Sequence, residues 1–429
     1  MDKKEFLTLT GLSESQFNGS EKIEGNLFLR YLTSIPEGFN PTVGRDLDLR
    51  NVTSIPEGFN PTVGGNLYLD KLTSIPEGFN PTVGWNLDLS GLTSIPEGFN
   101  PIVGGSLELR GLTTIPEGFN PTASWNLYLN ELTSIPEGFN PIVGGSLYLG
   151  KLTTIPEGFN PTVGWTIFLD NLTTIPEGFN PTVGGNLYLG NLTTIPEGFN
   201  PTVGGNLFLN KLTSIPEGFN PTVGGSLYLS DLKSIPEGFN PTVGVNLHLG
   251  NLTSIPEGFN PTVGRGLFLD NLTSIPNNWN KSDHENKKLP LISFQNGKYI
   301  KVDGIFTEVI NKKGNVYKVR RPSNKKEFFV VGDGDGNFAH GDTLKEAKVD
   351  LIFKITKRPK SDFENLDLTS ILSFKDAIEC YRVITGACSF GTKYFVKTNN
   401  IEEKEYSIGE IIEITEGYYG NERFKKFFL

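Results

Sequence analysis

Cys388 and His340 are the residues of this chain whose types best suit a nucleophile and its base. A thiol attacks as the thiolate, and an imidazole takes its proton when a third group orients the ring. The chain holds 2 cysteines, Cys380 and Cys388, and 3 histidines, so the choice is small. No orienting group is identifiable from the sequence. Cys is among the most buried residue types, and the nearest cation downstream is Lys393, so the expected thiol is sluggish. Asp333, Asp335 and Asn337 imitate the start of a calcium loop, but Leu344 stands where the bidentate carboxylate belongs, and a hairpin turn is expected. Lys312, Lys313, Lys318, Arg320, Arg321, Lys325 and Lys326 make a basic hairpin. Lys312, Lys313, Lys318, Arg320 and Arg321 are the candidate anion contacts, although Lys on a strand edge also discourages edge pairing. The sequence calls for no cofactor and no metal, and the expected protein is not an enzyme.

These residues all lie in the last third of the chain. Before them, from about Leu27 to about Asn280, a twenty-residue phrase recurs in register, close to L-Y-L-x-x-L-T-S-I-P-E-G-F-N-P-T-V-G-G-N. The Ile-Pro pair falls at Ile35-Pro36 and every twentieth residue to Ile275-Pro276, which makes thirteen coils. One coil cannot bury its own apolar side chains, but stacked coils bury them continuously. Catalysis needs different residues brought together once, whereas this array presents the same ones repeatedly. It reads as a surface.

In the coil 66–85, Leu67 and Leu69 share one strand face and Tyr68 takes the other. Leu72, Ile75, Phe79 and Val83 are the remaining inward columns. Pro76 and Pro81 belong at turns or edges, and Gly78 and Gly84 at corners. The Asn80 column is a candidate internal amide ladder. One parallel strand per coil is expected, with a second short extended piece around Leu72–Ile75. At about 4.8 Å per coil the array spans roughly 60 Å. The convex segment E-G-F-N-P-T-V is too short and too rich in Pro and Gly for a helix. L-x-L-x-x-L followed by T-S-I-P-E-G-F resembles the leucine-rich-repeat superfamily, most closely its short bacterial variants, over residues 7–280. The Asn or Cys usual after the strand leucines is missing. Residues 1–26 are the expected N-terminal cap, with Leu7, Leu9 and Leu12 in phase with Leu27, Leu29 and Leu32.

The outward strand column runs Phe28, Asp48, Tyr68, Asp88, Glu108, Tyr128, Tyr148, Phe168, Tyr188, Phe208, Tyr228, His248, Phe268. Its acids fall in the first half and its aromatics fill the second. Identical aromatics on adjacent parallel strands can cover one another, and a row of exposed Tyr and Phe is also the material of interface hot spots. Tyr68, Tyr128, Tyr148, Phe168, Tyr188, Phe208, Tyr228, His248 and Phe268 are the candidate partner-binding residues. The next two positions vary most between coils, as at Arg30-Tyr31, Arg50-Asn51, Asp70-Lys71, Arg110-Gly111, Glu131 and Lys151. Twelve glutamates from Glu37 to Glu257 form a solvated stripe. Trp85, Trp125 and Trp165 face Gly in alternate coils and read as local packing.

Charge divides unevenly along the 429 residues. Residues 1–280 hold 12 Lys/Arg against 26 Asp/Glu, a net of −14, and residues 281–429 hold 26 against 22, a net of +4. The acidic array should repel nucleic acid and anionic membrane. Two cysteines make no disulfide framework, no apolar h-region opens the chain, and no apolar run is long enough to span a bilayer. A soluble cytoplasmic protein is expected.

The charged stretch Lys281–Lys288 leaves the array, and a separate α+β domain is expected over 289–429. Tyr299–Val302, Ile305–Ile310, Val316–Val319 and Phe328–Val331 read as an antiparallel meander. Thr343, Ser373 and Ser407 open three helices, and Lys357–Leu366 is a linker. Gly314–Val319, Ala339–Ala347, Tyr381–Cys388 and Tyr419–Phe424 resemble a C-terminal module that follows different repeat arrays in phage and gut-bacterial proteins. That resemblance implies a phage-encoded chain acting in the host cytoplasm on a host protein, a defence component included. The expected fold is mainly β, a leucine-rich-repeat-like solenoid followed by a small α+β domain. The expected function is capture of a protein partner, with a structural or virion-associated spacer as the alternative.

Overall fold

The computed structural model describes residues 2–256, 258–273, 291–303, 305–321, 326–356 and 360–429. Glu257, the last Ile-Pro pair, Trp279, the exit at Lys281–Lys288, Lys325 and the start of the linker at Lys357 lie outside the described residues. The chain divides into two compact units, Met1–Leu229 and Ser230–Leu429, so the last described coils group with the C-terminal part.

The first unit is a parallel β-solenoid with a twenty-residue coil, as the period predicts. Each coil contributes two strands of two residues each, such as Leu67–Tyr68 and Thr82–Val83, to two separate parallel sheets. Register is fixed at one coil: Leu67 pairs with Leu47 and Leu87, and Val83 with Val103. Both ladders carry bonds between adjacent coils. Leu67 N–H donates forward to Asn86 O at 2.9 Å, while Gly84 N–H donates backward to Val63 O at 2.8 Å. Every coil is thereby tied to both neighbours by the same contacts.

The second strand lies at Thr82–Val83, not around Leu72–Ile75 as expected. In the latter segment adjacent coils share scattered single bonds, such as Thr53 N–H to Thr33 O at 3.1 Å. Pro76 then removes the donor a ladder would need next. Pro76 instead opens a turn closed by Phe79 N–H to Pro76 O at 3.3 Å, with Gly78 at a φ of 76°. Gly84 has a different reason to be glycine: a Cβ there would lie 2.3 Å from Gly64 O in the preceding coil.

The inward columns are shut from water: Leu67, Leu69 and Leu72 are 0% exposed, Phe79 2%, Val83 3% and Ile75 8%. From Phe39 to Phe219 the Phe rings stack with centroids 6.0–6.2 Å apart. The Asn ladder forms, but on the exposed rim. Asn60 Oδ1 accepts from Asn80 N–H at 2.6 Å, and Asn60 Nδ2 donates to Gly78 O at 3.0 Å. A second ladder runs ahead of the Leu strands, where Asn66 Oδ1 accepts from Asn86 N–H at 3.1 Å.

The N-terminal cap is helical, so Leu7, Leu9 and Leu12 do not continue the coil. Helix α1 spans Lys3–Thr10, capped by the Asp2 carboxylate and ended by Gly11 in the left-handed region. Helix α2, Glu14–Phe17, opens on a Ser13–Gln16 capping box. Phe6 and Phe17 are 0% and 2% exposed and set their rings 4.7 Å and 5.5 Å from Phe39. They end the Phe stack.

In the second unit the Leu-strand sheet does not stop at the last described coil. Strand Gly266–Leu269 pairs in parallel with Leu291–Phe294, which opens an antiparallel meander through Tyr299–Val302, Ile305–Lys313, Val316–Arg320, Glu327–Gly332 and Phe338–Gly341. The first and last of these six were not foreseen. Helix α3, Leu344–Ile355, carries the Thr343–Glu346 capping box and packs Ala347 and Leu351 with Val331, Ala339 and Cys388. Helix α4, Phe374–Thr385, and helix α6, Ile408–Ile414, fall where expected. Helices α5, Ser389–Thr398, and α7, Asn421–Phe428, were missed; α7 buries Phe424 in a core with Cys380, Ile384 and Ile408. Among the described residues no helix is long and apolar enough to cross a membrane.

Candidate functional site

The outward aromatic column is built by strand register. In the first unit Tyr128, Tyr148, Phe168, Tyr188, Phe208 and Tyr228 stack face to face with centroids 4.4–4.9 Å apart and planes within 13°. In the second unit His248 and Phe268 do the same at 4.7 Å, and burial lowers the His248 pKa. The rings are half-buried, with their faces turned to one another and their edges to solvent. Tyr68 stands apart, between Asp48 and Asp88, with the Arg50 guanidinium 4.9 Å from its ring centre. Burial raises its pKa, and Asp46 adds to that.

Several variable residues serve this column. Arg30 Nε and Arg50 Nη2 reach the fully buried Asp48 carboxylate at 2.6 Å and 2.9 Å. Burial pushes the Asp48 carboxyl up, but its bonds to Arg50 and Arg30 more than reverse this and hold it below the usual value. Arg110 bonds Glu108 at 3.0 Å and covers Tyr128 at 3.8 Å. Lys151 pairs with Glu131. The variable positions are half-buried or exposed, and the inward columns beside them barely change.

The Trp column departs from expectation. Trp85, Trp125 and Trp165 do not pack locally: they are 60%, 60% and 69% exposed. The column sits at a corner between the two sheets, where alternation along a strand gives no guide to direction.

In the second unit the structure brings Cys388 and His340 together, with Sγ 3.8 Å from Nδ1. It also supplies a third group that the sequence did not reveal, Asp303, whose Oδ2 is 3.8 Å from the same Nδ1. Thiol and carboxylate therefore crowd one ring nitrogen, whereas a relay needs them on opposite ones. The other nitrogen, Nε2, is buried without a hydrogen-bond partner. Lys354 Nζ holds both Asp303 oxygens at 2.9 Å and 3.0 Å and donates to Phe338 O at 3.0 Å. Burial takes the His340 pKa down to about 4, and burial with Asp303 pushes the Cys388 thiol up to about 11. Lys354 is raised above its ordinary value because Asp303 outweighs the burial that opposes its charge. Cys388 also caps α5 by accepting from Gly391 N–H at 3.2 Å. A thiol this buried and this weakly acidic is no nucleophile at neutral pH. Asp303, His340 and Cys388 offer three ligand atoms within 4.8 Å, but Lys354 already stands as the cation of the cluster.

The Asp333–Asn337 segment is the expected turn. Asp333 Oδ1 accepts from Asp335 N–H at 2.7 Å and Asn337 N–H at 3.1 Å, and Asp335 pairs with Arg265 at 2.7 Å. Three of the seven basic residues of the hairpin are paired with carboxylates. Lys318 pairs with Glu327, Arg320 with Glu308 at 2.7 Å, and Lys326 with Asp342 at 2.8 Å. Arg321 lies 3.6 Å over the Tyr394 ring and Lys312 lies 5.1 Å over Tyr317, while Lys313 is exposed. A cavity of about 1010 Å³ in this unit is lined by Asp303, Lys354, Tyr381, Cys388, Tyr419 and Arg423 among others.

The fold is a parallel β-solenoid leading into an α+β meander. No family model, no curated protein and no solved structure matches the chain.

Proposed function

We propose that this chain is a non-enzymatic protein-binding repeat protein. The observation that carries the reading is the division of labour within the coil. Inward columns are constant in type and, apart from Leu27, Ile55 and Ile255, 0–9% exposed, while change from coil to coil is concentrated in solvent-facing columns. A scaffold that varies only its face is suited to recognising a macromolecule. The Leu pairs and the I-P-E-G-F phrase support a leucine-rich-repeat-like relationship. The resemblance of the C-terminal module extends the proposal to a phage-encoded chain antagonising a host protein. A spacer role is the second reading, favoured by aromatic faces that are engaged with one another.

The test is capture by the immobilised full chain, compared with two variants. A Tyr148→Ser, Tyr188→Ser, Tyr228→Ser chain should lose the partner, and a Cys388→Ser, His340→Ala chain should keep it. A well-folded chain that retains no protein above background would favour the spacer. Loss of biological effect in a stably folded Cys388→Ser variant would restore an enzymatic reading.

A further inference from the structure

Among the described residues from 32 to 273, five large apolar side chains are exposed: Trp85, Ile102, Trp125, Ile142 and Trp165, at 60%, 74%, 60%, 60% and 69%. All five fall in consecutive coils of the first unit. They alternate between two columns. Coils with Trp at the corner carry Thr82, Thr122 and Thr162 on the Thr-Val sheet, and the coils between carry Gly105 and Gly145 at the corner with Ile102 and Ile142 on the sheet. The result is a zigzag in which no Trp neighbours another. At the gaps the backbone of the preceding coil lies close: a Cβ on Gly105 would be 2.7 Å from Trp85 C, and one on Gly145 2.6 Å from Trp125 O. No described ring stacks on these indoles and no described acceptor takes their N–H. So much exposed apolar area in one line marks an interaction surface.

The spacing selects the partner. Gly105 N–H donates to Trp85 O at 2.9 Å and Trp125 N–H to Gly105 O at 3.0 Å, so the corner follows the sheet ladder closely. Successive Trp are then two strand spacings apart, about 9.6 Å. A polyproline II helix repeats every three residues, about 9.3 Å, and over two intervals drifts from the Trp by only about 0.6 Å. The same-face repeat of a β-strand is about 6.7 Å, and a seven-residue repeat of an α-helix is about 10.5 Å. Polyproline II also leaves its own carbonyls unbonded, as acceptors for indole N–H groups, and proline-rich segments dock on aromatic-lined grooves. Charge narrows the class further. Residues 61–200 hold 3 Lys/Arg against 12 Asp/Glu, a net of −9, and Asp88 follows the Trp85 corner by three residues. We propose that the Trp–Ile zigzag binds a basic, proline-rich segment in the polyproline II conformation. This rests on the protein-binding reading and names its ligand class.

The test uses the full chain and fluorescent peptides of four triplets each: Pro-Pro-Arg, Pro-Pro-Glu and Gly-Ser-Arg. Saturable binding of the Pro-Pro-Arg peptide is expected, with a blue shift of tryptophan emission. The other two peptides should bind at least about tenfold more weakly, as should the first peptide to a Trp85→Ala, Trp125→Ala, Trp165→Ala chain. The Trp are exposed, so this variant should keep its melting temperature; a single Trp125→Ala chain gives an intermediate affinity if it does not. Equal binding of the Gly-Ser-Arg peptide would reduce the effect to charge and overturn the proposal. Binding undiminished in the Trp variants would overturn the location. Tryptophan perturbation by a β-linked oligosaccharide, with no response to any peptide, would replace the ligand class. Failure of all peptides while the immobilised chain still captures a protein overturns this inference alone; failure of both removes the protein-binding reading as well.

Discussion

The coils of residues 27–229 and the meander and helices of residues 291–429 reach stability in opposite ways. In the coils almost every contact is one of a series: a Phe on a Phe, a Leu N–H on the next coil's carbonyl, an Asn on an Asn. In the C-terminal part the decisive contacts occur once. Lys354, Asp303, His340 and Cys388 come from helix α3, a turn, the last meander strand and a helix cap. A series tolerates loss of a member because its neighbours are unaltered, whereas a unique buried cluster has no substitute for any member. Redundancy thus belongs to the coils, and singularity to the C-terminal part.

The largest effect should come from breaking the singular cluster. Lys354→Met leaves the Asp303 carboxylate buried beside His340 and should cost about 3–5 kcal/mol. The far-ultraviolet helical signal, carried mostly by α3–α7, should melt earlier. Tryptophan emission, from a chain with 3 of its 4 tryptophans at Trp85, Trp125 and Trp165, should keep its transition. A joint shift of both signals would show that the two regions unfold as one.

Acid should divide the regions in the same way. His340 titrates at about 4 when folded and near 6.5 when free, so the unfolded chain takes the proton first. Its contribution is complete above 6.5 and is lost as pH falls toward 4, by up to about 3 kcal/mol. Cys388 acts at the other end: its folded value of about 11 exceeds the ordinary 9.0, so its contribution is present below 9 and fades as pH rises to 11. The first unit contains no histidine. Denaturant melts between pH 7 and 5 should weaken the helical transition and spare the tryptophan one, and a His340→Phe chain should flatten the slope.

Within the coils, the comparison sharpens to inward against outward rings. Phe139→Ala should cost about 3 kcal/mol, the low end for a buried ring because both stacked neighbours remain, while Tyr148→Ala, from the half-buried column, should cost about 1 kcal/mol. Chemical denaturation of both variants decides this, and equal losses would mean that the outer stack is structural in the full sense. The smallest effect should follow removal of residues 125–164, two whole coils. Scattering and cooperative unfolding should report a folded, shorter solenoid.

The coil was legible because inward Leu, Ile, Phe and Val recur at fixed places and nothing else could fill the core. The second strand was misplaced because Leu72–Ile75 and Thr82–Val83 are comparably apolar. Only the in-register ladder that Thr82–Val83 makes with its equivalents tells them apart. The α1 helix was masked by leucines that happened to keep the coil phase. Asp303 and Lys354 were invisible as partners, since they lie 51 residues apart and meet only through the packing of α3 on the meander. The basic hairpin was visible as charge, but Glu308, Glu327 and Asp342, which pair with three of its residues, face it only across paired strands and a turn.

A module bonded to both neighbours through two parallel ladders leaves unpaired backbone and uncovered rings wherever the array ends. In the Leu-strand sheet the last described coil meets that need by pairing Gly266–Leu269 with Leu291–Phe294, and the first coil needs a cover of its own. Phe6 and Phe17 stand where the Phe ring of a preceding coil would stack, on Phe39. Two short helices thus cover the apolar end of the first coil, and deleting residues 2–18 should uncover Phe39 and show as self-association in light scattering.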